Sequence, residues 1–322
     1  MLSKYKNLIA LGAAATLSFG VAAQTTWNMA TPYPESEFHT KNIQAFVADV
    51  AKASGGELSI KVHSAQSLFK HPEIPRAVRT GQVEIGETLM SNLSNQDPIF
   101  EVDAIPFLVT GYASAKKLWT GQRPFVEEYL KSQGMRLLYA VPWPGQGFYT
   151  KKEINKIEDM AGMKFRTQNS VTEQMATLMK AVPTTVEAVE IPQAFTAGIV
   201  DAMVTSAATG VRSEAWSFST YYYDLQAWLP KNMVYVNERA FSRLSPKAQQ
   251  ALLEAGKQAE ARGWEMSEAA FTQSTEDIKK RMQYRQANEA LSRSLSQIGD
   301  VMSAKWSQAV GAKGQQILAP LR

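Results

Sequence analysis

Apolar positions along this chain switch between a period of two and a period near 3.6, and that switching predicts an α/β protein. Thr25 to Ala30 puts Trp27 and Met29 on one face and reads as a short strand, broken by Pro32 and Pro34. From His39 the spacing becomes helical, with Ile43, Phe46, Val47 and Val50 at i, i+3, i+4 and i+7. Ser54-Gly55-Gly56 ends that helix, because glycine takes the left-handed conformation of a helix C-terminus without steric cost. Leu58, Ile60 and Val62 then alternate again as a second strand. Strand, helix and strand in this order predict a βαβ unit with parallel strands and a right-handed crossover.

The pattern continues with a helix around Glu73 to Thr80, a turn at Gly81 and a strand over Val83 to Thr88. Ala104 to Val109 reads as an apolar strand, followed by helices near Ala113 to Thr120 and Pro124 to Gln133 and a strand over Met135 to Val141. Pro142-Trp143-Pro144-Gly145-Gln146-Gly147 is a junction after which the same grammar restarts. Extended Gly147 to Lys151, a strand over Met163 to Thr167 and a helix from Ser170 through Met179 come next. A helix over Gln193 to Ala197 leads into a strand over Ile199 to Thr205. Leu225 to Trp228 and Met233 to Asn237 read as strands on either side of a second junction at Pro230-Lys231. Ser245-Pro246 supplies an N-cap and a proline at the first helical position, opening helical sequence that runs almost unbroken to Gly311. Two α/β lobes joined by at least two extended crossings predict a ligand cleft between them.

Length and composition narrow the function. The chain has 322 residues, 45% of them hydrophobic, enough for two cores of moderate size. A net charge of +4 over that length does not argue for nucleic acid as a partner. There is no cysteine, which excludes disulfide scaffolds, thiolate metal sites and thiol nucleophiles, and three histidines leave little for a transition-metal centre. No nucleophile elbow, zinc-protease helix, P-loop or dinucleotide fingerprint is present. Ser114 and Lys117 have the S-x-x-K spacing but fall on an expected surface helix, and Gly145-Gln146-Gly147 reads as a hinge. Glu73, at a helix start after His71-Pro72, complements the helix dipole. No cofactor is implied. Residues 1–23 read as a secretory signal: Lys4 and Lys6, an apolar run from Leu8 to Phe19, then Val21-Ala22-Ala23 with the small residues needed before a cleavage at Gln24. The expected location is the periplasm.

Ile157-Glu158-Asp159-Met160-Ala161-Gly162-Met163-Lys164-Phe165-Arg166-Thr167 resembles the signature segment of the DctP-type solute-binding proteins of TRAP transporters. Pro183 and the run from Glu190 to Ala202 follow with the family's spacing. Phe46 to Gly56, Ala77 to Gly86 and Ile105-Pro106-Phe107 resemble upstream segments of the same family. The resemblance implies a two-lobed periplasmic binding protein fold, type II-like, with a ligand cleft between the lobes and long C-terminal helices. It places residues 24–143 and 232–271 in lobe I and residues 144–231 and 272–322 in lobe II. It further implies a monomeric receptor that captures a small carboxylate and passes it to the small and large membrane subunits of the transporter. A secreted enzyme on a similar fold and a receptor for a sensor kinase are the alternatives.

By that resemblance Arg166 clamps the ligand carboxylate, a role suited to the planar fork of donors on a guanidinium. Gln146 stands where many relatives carry a second arginine, so one fixed positive charge remains and a monocarboxylate, hydroxy- or aromatic-substituted, suits the site. Thr205 falls where an asparagine is common and offers a hydroxyl. Ala188 replaces a frequent phenylalanine and widens the pocket wall. Trp228 is the aromatic chosen to fill that space, among Trp143, Phe148, Tyr149 and Trp216 as further cleft candidates. Glu87, Thr88 and Met90 follow a strand that lines the cleft in the family, and Phe38 or His39 caps it.

Overall fold

The structure, a computed structural model, describes residues 24–322; the expected signal segment lies outside the described residues. The first sheet grows from the predicted βαβ unit. β1 (Thr25–Ala30), α1 (Phe38–Ser54) and β2 (Leu58–His63) form it, with β1 and β2 parallel in the register Trp27 to Ile60. Gly55 ends α1 at φ 69°, the left-handed conformation that the sequence calls for. α2 (Ile74–Thr80) and β3 (Ile85–Leu89) extend the parallel set, and α3 (Gly111–Ser132) leads into β4 (Met135–Pro142).

The chain then crosses to a second sheet. β5 (Gln146–Thr150), β6 (Lys164–Thr167), α4 (Ser170–Leu178), β7 (Val182–Thr185), α5 (Ile191–Thr196), β8 (Ala202–Ser206), α6 (Ala207–Arg212) and β9 (Tyr221–Asp224) build it. A second crossing returns as β10 (Lys231–Asn237), which inserts antiparallel between β3 and β4, giving the first sheet the order β2-β1-β3-β10-β4. After α7 (Glu238–Ser242), α8 (Pro246–Arg281) runs for 36 residues, about 54 Å of helix. Its length lets it pack against α1 and β4 at one end and α6 of the other lobe further along. Ser245 caps it, accepting from the Ala248 N–H at 3.2 Å. β11 (Gln283–Gln286), α9 (Glu289–Val310) and α10 (Ala312–Leu318) complete the chain, and the second sheet reads β11-β9-β5-β8-β6-β7.

Five expectations change. Ala104 to Val109 is no strand: Val102–Ala104 is a 3-10 turn, and Phe107 stands at φ 57° with its N–H given to the Ala227 carbonyl. Its apolar side chains pack as a buried loop. The two helices expected on either side of Pro124 are one, because Ala115, Leu118 and Trp119 before it and Val126 and Leu130 after it bury a single stripe. That packing outweighs a local proline cost of about 3 kcal/mol. The strand expected at Leu225 to Trp228 lies earlier, at Tyr221–Asp224. The helical run is interrupted by β11, whose polar residues carry no alternating apolar signal; β11 forms by pairing in parallel with β9. The segment expected in lobe II after residue 272 also reaches the first lobe: α10 packs on α3, and the Trp306 indole donates to the Pro98 carbonyl at 2.8 Å.

Candidate functional site

A small cavity of about 40 Å³ lies between the two sheets. It forms where the carboxyl ends of strands from both lobes converge, the usual place for a ligand in α/β sheets. The two lobes line it differently. The first brings Tyr33, Leu89, Trp143 and Pro230, which are apolar or aromatic, together with His71 and Asn92. The second brings Gln146, Arg166, Gln168, Glu187, Thr205 and Thr209, with Ala188 the exception to its polarity.

Arg166 is set on β6, 4% exposed. Its Nε donates to the Val186 carbonyl at 2.8 Å and its Nη1 to Gln168 Oε1 at 2.7 Å. Nη2 donates to nothing among the described residues. Burial pushes the guanidinium down to about 10, and Glu187 opposes the shift, so the charge persists at neutral pH. Burial alone would raise Glu187, but His71 and Arg166 hold its carboxyl below the ordinary value. His71 Nδ1 stands 3.6 Å from Glu187 Oε2 across the cleft. His71 Nε2 accepts the Leu89 backbone N–H at 3.3 Å, which assigns the ring proton of neutral His71 to the nitrogen facing Glu187. Gln146 gives one amide N–H to the Pro144 carbonyl at 2.7 Å.

Contacts across the cleft hold the lobes together. Arg212 Nε lies 3.0 Å from Glu37 Oε2, Asn169 Nδ2 donates to Ser91 Oγ at 2.8 Å, and the Ser94 and Ser170 hydroxyls are 2.8 Å apart. Asn169 is also the N-cap of α4, so the residue that starts a helix of one lobe touches the other. Among the described residues, no three His, Asp or Glu side chains gather to hold a metal ion.

A family description, DctP, bacterial extracellular solute-binding protein, family 7, matches residues 29–310. The chain belongs to the DctP family. Two solved structures of DctP receptors from Bordetella pertussis that bind pyroglutamic acid, DctP7 and DctP6, are 44% and 42% identical to it. They superpose with TM-scores of 0.91 and 0.90, each covering 92% of this chain and 99% of its own. A marine-metagenome TRAP solute-binding protein specific for pyroglutamate is 36% identical, with a TM-score of 0.90, covering 92% of this chain and 98% of its own. This DctP protein is therefore a TRAP-type extracytoplasmic solute receptor and not an enzyme. No helix among the described residues is long and apolar enough to cross a membrane.

Of the residues singled out from sequence, the structure brings Arg166, Gln146, Thr205 and Ala188 to the cavity of this DctP receptor, and Trp143 with them. It places Trp228 elsewhere: at 1% exposure the indole lies in the apolar cluster with Leu225, Ala227 and Leu229. Its carbonyl accepts the Gln146 N–H at the first crossing, at 3.1 Å. Met90 is likewise core, and Phe38 stands edge-on behind Trp143 at 5.5 Å between ring centroids. Glu87 and Thr88 are buried within β3, whose last residue Leu89 reaches the cavity instead. Glu87 is on the same face as Leu89 by strand alternation but about 7 Å further from the strand's end. Phe148 and Tyr149 are core, and Trp216 packs on the second lobe's cluster under Arg281. Sequence reasoning passed over Tyr33, Asn92, Glu187 and Thr209. It named His71 only beside a helix start and stopped one residue short of Gln168. The available signal was adjacency: Gln168 follows the arginine motif, and Glu187 precedes Ala188.

Proposed function

We propose that this receptor captures pyroglutamate, or a closely similar small cyclic monocarboxylate, and hands it to the membrane subunits of a TRAP transporter. The observation that carries the reading is Arg166: a buried guanidinium at the cavity, held by two neutral acceptors, with Nη2 left for a carboxylate. The three relatives at 36–44% identity support the choice of solute. Chemistry supports it too. A pyroglutamate ring has one carboxylate, one carbonyl acceptor, one N–H donor and two flat faces. Arg166 suits the carboxylate, Glu187 can accept the ring N–H, and the Gln146, Gln168 and Thr205 side chains can donate to the ring carbonyl. Tyr33, Trp143 and Leu89 supply apolar surface for the ring. Gln146, in place of a second arginine, favours one carboxylate over two.

Isothermal titration with pyroglutamate, glutamate, proline and succinate tests this. Pyroglutamate should bind most tightly; tighter binding of succinate would overturn the monocarboxylate reading. In this reading residues 1–23 are removed on export and the receptor acts as a monomer. N-terminal sequencing of the exported protein should return Gln24, and a chain beginning at Met1 would contradict it.

A further inference from the structure

Behind the aromatic wall of the cavity lies a chain of buried polar side chains, Asn232, Glu87, Thr31 and His39, none of which lines the cavity. Trp143 and Tyr33 both line the cavity, and both give their side-chain proton to one atom. Trp143 Nε1 donates to Asn232 Oδ1 at 2.9 Å, and the Tyr33 hydroxyl donates to the same oxygen at 3.3 Å. Asn232 Nδ2 in turn donates to Glu87 Oε1 at 2.8 Å. Glu87 Oε2 accepts the Thr31 hydroxyl, and His39 Nδ1 lies 3.5 Å from Oε1. An indole nitrogen can only donate, so the direction of the chain is fixed from that end. Asn232 must turn its oxygen to Trp143 and its amino group to Glu87, and Glu87 must accept.

The two ends of this chain are held with different firmness. Asn232 sits in β10, paired with Leu89 of β3 on one side and Val141 of β4 on the other. Trp143 lies on the junction after β4, outside any ladder, and its backbone N–H donates to the Pro230 carbonyl at 2.7 Å. Its ring meets His39 at 4.3 Å, Tyr33 edge-on at 5.0 Å and Phe38 at 5.5 Å, and its indole N–H makes its one hydrogen bond to Asn232.

We propose that Asn232, its amide oriented by Glu87, is the positioning residue that sets Trp143 and Tyr33 as the cavity wall and thereby the receptor's preference for a small flat ring acid. The proposal rests on the reading of this cavity as the solute site. Without the amide oxygen, the buried Trp143 N–H is left without its acceptor.

Calorimetry with pyroglutamate and with its six-membered lactam homologue, together with the indole proton resonances of the ligand-free full chain labelled at tryptophan, tests this. Asn232→Leu should weaken pyroglutamate binding by about tenfold or more, the scale of a buried donor left unmade. It should also narrow the preference for the five-membered ring and move the Trp143 indole resonance. Glu87→Gln keeps an acceptor for Asn232 and should stay within about threefold of wild type, whereas Glu87→Leu should behave like Asn232→Leu. In a Trp143→Phe background Asn232→Leu should cost less than it does alone, since one of the two donors to Asn232 Oδ1 is already gone. Unchanged affinity and an unmoved indole resonance in Asn232→Leu would overturn the proposal, as would strict additivity in the cycle. If Asn232→Leu does not fold, equal affinities of Glu87→Gln and Glu87→Leu would overturn it. Failure of wild type to bind pyroglutamate would instead sink the solute reading, and the indole resonance alone would then decide the positioning role.

Discussion

Lys231, at the start of β10, and Arg166, on β6, are both cations taken out of water, and they are answered in different ways. Lys231 is 0% exposed; its Nζ lies 2.9 Å from Asp103 Oδ2, and its backbone N–H donates to the same oxygen at 2.9 Å. Arg166 has a carbonyl and an amide oxygen on two of its nitrogens, and no carboxylate among the described residues forms an ion pair with it. A buried charge without a counter-charge is costly unless something compensates it. At the second crossing the compensation is internal, and Lys231 with Asp103 ties the returning strand to the first lobe. At the cavity the neutral acceptors orient the guanidinium, Glu187 offsets its charge only from beyond ion-pair distance, and the remaining donor is left for a solute.

Removing Lys231 should have the largest effect. Lys231→Met leaves Asp103 buried without its partner and should cost about 3–5 kcal/mol of stability in denaturant unfolding. Replacing Asp103 by leucine in the same chain should recover most of it, and a Lys231→Met protein as stable as wild type would break the comparison. Arg166→Ala should leave stability nearly unchanged. It should cost about 2–5 kcal/mol of solute affinity, roughly 30- to several thousand-fold by calorimetry. Arg166→Lys should recover only part, since an ammonium keeps the charge but not the planar fork. Equal binding by wild type and Arg166→Ala would remove the central residue of the site.

Glu87 sharpens the comparison, as a buried carboxyl met by donors from Thr31 and Asn232 and by a histidine that burial holds neutral. Burial pushes its carboxyl up to about 7 from the ordinary 4.5, with nearby Glu37 adding to the shift. A folded value above the unfolded one gives stability that is full below about 4.5 and is lost as pH rises through about 7. Unfolding titrations of wild type should therefore lose on the order of 1–3 kcal/mol between about pH 5 and pH 8, and Glu87→Gln should flatten that slope. An unchanged slope in Glu87→Gln would assign the pH dependence to other groups. The smallest effect belongs to Gln146→Ala, about 0.5–1.5 kcal/mol of affinity, the scale of a neutral hydrogen bond. A loss as large as that of Arg166→Ala would mean that the site does not depend on its one fixed cation.

Legibility followed the range of the forces involved. β1, α1, β2 and β4 were readable because periodicity and a glycine stop act within a few residues. β11 was not, because Gln283 to Gln286 become a strand only by pairing with β9 some sixty residues earlier. The same divide runs through the site. Arg166 could be named because its motif is contiguous. Trp228 could not be placed, since an aromatic beside a crossing reads the same whether its ring turns to the cleft or to the core.

The sequence by itself determined two α/β lobes, two crossings, the long C-terminal helices and the arginine that faces the cleft, all carried by local pattern or by a continuous motif. Only the tertiary structure decided that β10 inserts between β3 and β4, that His71 faces Glu187 across the cleft, and that Trp143 and Tyr33 share the oxygen of Asn232. Those contacts join residues far apart in the chain. Their energies depend on burial and on the direction of each donor, and neither exists until the two lobes have met.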